Sequence, residues 1–346
     1  MARYLLTGAV LIALAGAARA QQPAPYHVVE TVKPAGNGGW DYLFADAGSR
    51  RLYIPRSGPD ARITLFDLDT LKPAGEIPGF AAHGVAIDAK THHGFASSNP
   101  VVMWDTNTLR VIKTIAVQGH PDSIVFDRAS GRVFVFSHSA PNATVIDAAS
   151  GDILGTIDLG GAPEEAVSDG AGHVFVDLED KDQVVAIDAA AMKVSARFGL
   201  DGKGGGPGAL AIDAKNHILF AACHDPATMV VLDSRDGKIL AALPIGKGVD
   251  SAGFNPETLE AFSSQGDGTL TVIKESDPSH FAVEQTVQTL PGARTMTLDT
   301  KTGRVFTVSA QFAPPAPPPP GAPAAEHRPR RGPMTPGSFS ILAIGR

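Results

Sequence analysis

The chain has a single cysteine, Cys223, in 346 residues. That excludes an intrachain disulfide, so stability has to come from packing. No Cys-x-x-Cys-His run occurs, which excludes covalent haem attachment of that kind. There is no Gly-x-Ser-x-Gly elbow and no His-Glu-x-x-His pair, so two familiar hydrolase signatures are missing. The glycine-rich run from Gly202 to Gly208 has neither a following helix nor a Lys-Ser/Thr pair; it reads as a flexible loop and not a phosphate cradle. No stretch sustains a helical period. Cations are scarce too: 29 Lys and Arg stand against 36 Asp and Glu, a formal charge of −7. A protein of that sign is a poor general binder of nucleic acid or anionic lipid.

The first twenty residues carry a separate signal. Arg3 precedes an apolar run from Tyr4 to Ala17, and Ala18-Arg19-Ala20 fits a small-x-small cleavage site. The run is too short for a membrane span and reads as a secretory signal peptide over 1–20, with a periplasmic or secreted product starting at Gln21. No Cys follows the run, which argues against a lipoprotein anchor. Losing Arg3 and Arg19 leaves 27 cations against 36 acids, a formal charge of −9.

What the sequence has in abundance is repetition. Short apolar runs close on Asp or Asn at Asp46, Asp88, Asp127, Asp169, Asp213, Asn255 and Asp299, with spacings of 42, 39, 42, 44, 42 and 44 residues. Each interval resolves into four short strand patterns separated by turn residues. A period of 40–50 residues made of strands marks a β-propeller. The expected fold is therefore all-β, a seven-bladed β-propeller occupying 21–346 as one domain. The last blade has three strand patterns and then the chain stops. His27 to Val32 supplies a fourth, so the N-terminal strand is expected to complete the C-terminal blade and close the ring. One segment breaks the period: 313–336 holds ten prolines and the basic trio Arg328, Arg330 and Arg331. It reads as a disordered loop between the second and third strands of the last blade, on the face where the inner strands begin.

Aligning the seven copies exposes a second column. Five residues before the closing position stand Asp41, His83, Asp122, Glu164, Gly208, Asp250 and Arg294. Six of the seven are polar, at the start of the strand nearest the axis. Four carboxylates converging there repel one another unless a cation, Arg294 or water relieves them. Two readings follow: a ligand or metal site, or a solvated ring that caps the strands. In the first, Asp41, Asp122, Glu164 and Asp250 are the metal candidates, with calcium or magnesium favoured by the oxygen-rich set. Trp40, His83, His120, Glu165 and Arg294 join the same carboxylates as ligand-binding candidates. His138 and His224 fall in loops on the same face.

The phrases His120-Pro121-Asp122-Ser123-Ile124, Gly131-Arg132-Val133-Phe134-Val135 and Val145-Ile146-Asp147, at this spacing, resemble the YVTN-type propellers, and more narrowly the YncE-like family of exported bacterial proteins. The resemblance implies a binding or surface-associated propeller, expected to be a monomer that takes a small molecule or a protein as partner. Related folds include lactonases, so a metal-dependent lactonase-like hydrolase at the same channel mouth is the alternative to a non-enzymatic binding role.

Overall fold

The computed structural model describes residues 24–138, 142–315 and 332–346. Among them the strands form seven antiparallel four-stranded sheets. The third blade shows how the sequence builds each one. Its strands are Pro121–Asp127, Arg132–Ser137, Asn142–Asp147 and Ile153–Asp158. β-Branched and aromatic residues fill the two central strands. Between them the turns are made by Asp and Gly: Asp127 accepts the Ser130 N–H, Asp147 accepts those of Ala149 and Ser150, and Gly131 and Gly151 take the positive φ that ends each turn.

The core lies between blades. Among the described residues seven apolar clusters are present, each joining two neighbouring blades. Phe134, Phe136 and Val145 of the third blade, for example, pack on Val174, Val176 and Val185 of the fourth. Each such buried side chain contributes about 1.5–3 kcal/mol, and the total is spread evenly round a ring in which every blade needs both neighbours. The seven innermost strands touch in succession round a complete circle.

The circle closes through the chain termini. His27–Val32 pairs antiparallel with Ser340–Gly345, and Arg304–Ser309 and Met296–Asp299 follow inward, so the last blade is assembled from both ends of the chain. Tyr26 wedges in beside it. Its hydroxyl donates to Glu260 at 2.7 Å, its ring meets Phe262 edge-on, and the Arg346 guanidinium lies 4.3 Å above the ring. On the other side of the last blade, Arg50 of the first blade grips Asp299 through two bonds of 2.8 and 2.7 Å.

The proline-rich insertion has a paired base. Phe312 bridges Met334, the Ala313 N–H donates to Pro333 O and the Thr335 N–H to Gln311 O, so the second and third strands run on beyond the blade as a ribbon. The stretch 316–331, with its three arginines, lies outside the described residues, as does the expected signal peptide over 1–20.

Candidate metal and ligand site at the channel mouth

A local irregularity in the inner strands sets the site. In four blades the pairing of the first and second strands skips at the column five residues before the closing Asp or Asn. Pro121 pairs with Ser137, but Ile124 pairs with Val135; the skips in the next three blades fall between Pro163 and Ala166, Pro207 and Ala209, and Val249 and Ser251. Each skip is a β-bulge carrying Asp122, Glu164, Gly208 or Asp250. A bulge gives one residue no cross-strand partner and re-aims its side chain. These side chains therefore leave the alternation that would bury them between blades.

Four blades meet as a result. His83 Nδ1 of the second blade lies 2.7 Å from Asp41 Oδ2 of the first and 3.4 Å from Asp122 Oδ1 of the third. His138, from the second-to-third strand loop of the third blade, places Nδ1 3.2 Å from Glu164 Oε2 of the fourth and Nε2 3.9 Å from Glu179 Oε2. The Tyr42 hydroxyl of the first blade reaches across the axis to donate to Glu164 Oε1 at 3.3 Å. Asp41, His83 and Asp122 form one set whose ligand atoms all lie within 4.8 Å of one another, and Asp122, His138 and Glu164 form a second.

Burial and mutual repulsion make these carboxyls weak acids. Burial first, and then the Asp41 charge, raises Asp122 to about 6. Burial, followed by Asp122, Asp250, Glu179 and Asp41, raises Glu164 to about 8. The bond to Asp41 raises His83 in turn, because it favours the imidazolium. Beneath the ring, burial holds Glu165 well above the carboxylate range even though its Oε2 accepts the Leu210 and Ala252 N–H groups of the fifth and sixth blades. Asp177 is wholly buried in the strand facing the Glu164 bulge. Its Oδ1 accepts the Glu165 N–H, its Oδ2 has no hydrogen-bond partner, and burial with Glu164 and Glu165 nearby pushes it well up.

The remaining ring positions do other work. Arg294 Nε lies 3.0 Å from Asp250 Oδ2, so these two neutralise each other and stand outside both three-residue sets. At Gly208 a Cβ would lie 2.6 Å from His224 Nε2, so the place of a side chain is taken by that imidazole. Trp40 packs 5.3 Å from Phe339 and 6.2 Å from Phe312, at the seam between the first and last blades. That is a packing position at the base of the insertion. His120 is exposed and lines, with His83, Phe80 and Asn99, a pocket of about 620 Å³ between the second and third blades. A smaller cavity of about 240 Å³ lies under the ring, lined by Tyr42, Gly84, Ser123 and Glu165.

Two contributors escape a reading of the repeat alone. Asp177 was signalled only by a lone acid in the apolar run His173–Leu178. The bulges leave no mark beyond the polar column itself.

Seven such blades, closed by the N-terminal strand and polar at one mouth, define a seven-bladed β-propeller. The WD40 repeats of RRP9 share the architecture, with a TM-score of 0.70 over 92% of this chain and 97% of that one at 11% identity, a likeness of fold alone. The protein YncE of Salmonella typhi is 24% identical over 195 residues, as is that of Salmonella typhimurium. The match spans about half of this chain and half the length of those relatives (54% of each). No family model matches. The weak homology and the seven-bladed ring together support a likeness to the YncE-like β-propellers. Among the described residues no helix is long and apolar enough to cross a membrane.

Proposed function

We propose that the protein acts outside the cytoplasm as a binding propeller whose channel mouth holds a divalent cation. A small molecule or protein then docks over the mouth, beside the pocket at His83. One observation carries this reading: Asp41, His83, Asp122 and Glu164, from four blades, converge with His138 within coordinating distance. Carboxylates gathered this closely need a cation or a proton, and a cation relieves them at the pH where the proton is lost. Export is supported by the charged start, apolar run and Ala-Arg-Ala site of residues 1–20. The test is metal analysis and thermal shift on the purified protein. Bound divalent metal that is lost when Asp122→Ala is combined with Glu164→Ala is the expected result. Absence of bound metal, with no thermal shift on adding calcium, magnesium, manganese or zinc, would overturn the reading.

A second reading is a metal-dependent, lactonase-like hydrolase at the same mouth. It is favoured by the gathering of acids and imidazoles at one mouth, where the ring carboxylates would hold the cation and another carboxylate or His83 would act as base. Metal-loaded protein that leaves a panel of lactones intact would remove this reading and keep the binding one.

A further inference from the structure

The cation reading treats the mouth as one site, but its side chains make two. Asp41, His83 and Asp122 are one set, Asp122, His138 and Glu164 the other, and Asp122 belongs to both. Each set is two carboxylates and an imidazole, with the shared carboxylate in the middle. Two of the three imidazole–carboxylate distances suit ions, while the third, His83 Nδ1 to Asp41 Oδ2 at 2.7 Å, is a hydrogen bond that an ion would replace. Two ligand atoms each ~2.0–2.1 Å from a tetrahedral ion lie ~3.3 Å apart. His83 Nδ1 to Asp122 Oδ1 is 3.4 Å and His138 Nδ1 to Glu164 Oε2 is 3.2 Å.

What lies behind the ligands points the same way. A ligating imidazole turns its other nitrogen toward a carboxylate, and a ligating carboxylate is itself hydrogen-bonded. His138 turns Nε2 toward Glu179, and Glu164 offers its second oxygen to the Tyr42 hydroxyl. Asp177, wholly buried against the Glu164 bulge, has one oxygen on the Glu165 N–H and leaves Oδ2 without a hydrogen bond. The imidazoles also decide the class of metal. Calcium and magnesium take oxygen ligands, whereas one imidazole with two carboxylates suits zinc, manganese or iron.

We propose that the mouth is built for two first-row transition-metal ions bridged by Asp122, one held by Asp41 and His83, the other by His138 and Glu164. Bridged pairs of this kind stand ~3.5–4 Å apart. Two divalent ions offset the three ligating carboxylates and Glu179 behind His138, and the pocket beside His83 gives a small carboxylate or phosphate compound room to reach an ion. The proposal rests on the cation reading above but is separable from it.

The purified protein is stripped with a chelator and reloaded with zinc or manganese. Bound metal is counted by mass spectrometry, and the manganese form is examined by electron paramagnetic resonance. Two ions per chain are expected, with the exchange-coupled spectrum of a manganese pair. His83→Ala and His138→Ala should each retain one uncoupled ion, Asp122→Asn should weaken both at least tenfold, and Asp250→Asn should keep both. One uncoupled ion in the unaltered protein overturns the pair. Binding of calcium with refusal of zinc and manganese overturns the metal class and leaves the cation reading standing. No cation of any kind overturns both. The spectrum of the unaltered protein decides the matter even if a variant fails to fold.

Discussion

The repeat places two rows of acids at opposite ends of the inner strands, and they live under different rules. At the closing end each Asp is satisfied close to home. Asp127 and Asp213 accept N–H groups from their own turns, and Asp299 adds the Arg50 guanidinium from the next blade. For Asp299, burial pushes the pKa up, but Arg50, Thr302 and the Lys301 N–H outweigh it and the group ends below the ordinary carboxylate range. At the mouth, Asp122 and Glu164 sit on bulges, face one another, and end far above that range. The same residue type, five positions apart, is a stabilising cap in one row and a source of repulsion in the other. A row of acids that costs the fold stability, yet recurs round the ring, is where a ligand is expected.

The sharpest way to break the contrast is at Asp299. Asp299→Ala leaves Arg50 with Asp69 as its remaining carboxylate and removes the bonds of the Asp299 turn, and should cost about 2–3 kcal/mol in urea unfolding; a loss below ~1 kcal/mol would show that closing-row acids are ornamental. Next comes pH. Asp122 and Glu164 bind protons more tightly folded than unfolded, with ordinary values of 3.8 and 4.5 rising to about 6 and 8. Their contribution is fully present below the unfolded values and is lost as pH rises toward 8, so metal-free protein should weaken over that range. Glu164→Gln should recover about 2 kcal/mol at pH 8 and nothing at pH 4, allowing for water at a part-exposed site. A flat pH profile in the metal-free protein would remove the distinction between the rows. Asp147→Ala, in one of the outer turns, removes the oxygen that accepts two N–H groups and should cost about 1 kcal/mol. Smallest of all, Arg294→Ala breaks a mouth pair whose Arg is part-exposed and should shift stability by about 0.5 kcal/mol.

How far the sequence revealed this follows from what each feature depends on. The blades were legible because each copy states its own strands and turns, and the need of the last blade for a fourth strand pointed to His27–Val32. The meeting of Asp41, His83, Asp122 and Glu164 was legible because repeats in register put equivalent positions round one axis. Partner choice within the ring was not. Asp250 stands with the other acids in the column, but its neighbour in space is Arg294. Trp40 stands beside the ring Asp41 in the chain, yet its indole turns to Phe339 and Phe312. His138 enters from a loop with no fixed register, and its place beside Glu164 depends on loop geometry that the repeat does not encode.

The bulges have a consequence for how such a molecule changes over time. Because the extra residue stands outside the cross-strand register, its identity is released from the demands of the sheet. Within one chain the bulged position is already Asp, Glu and Gly, while the strands around it keep their pairing. The mouth is thus an interchangeable rim on a fixed wheel. A new binding preference can be reached by single substitutions at the rim, leaving the strand pairing of the blades in place.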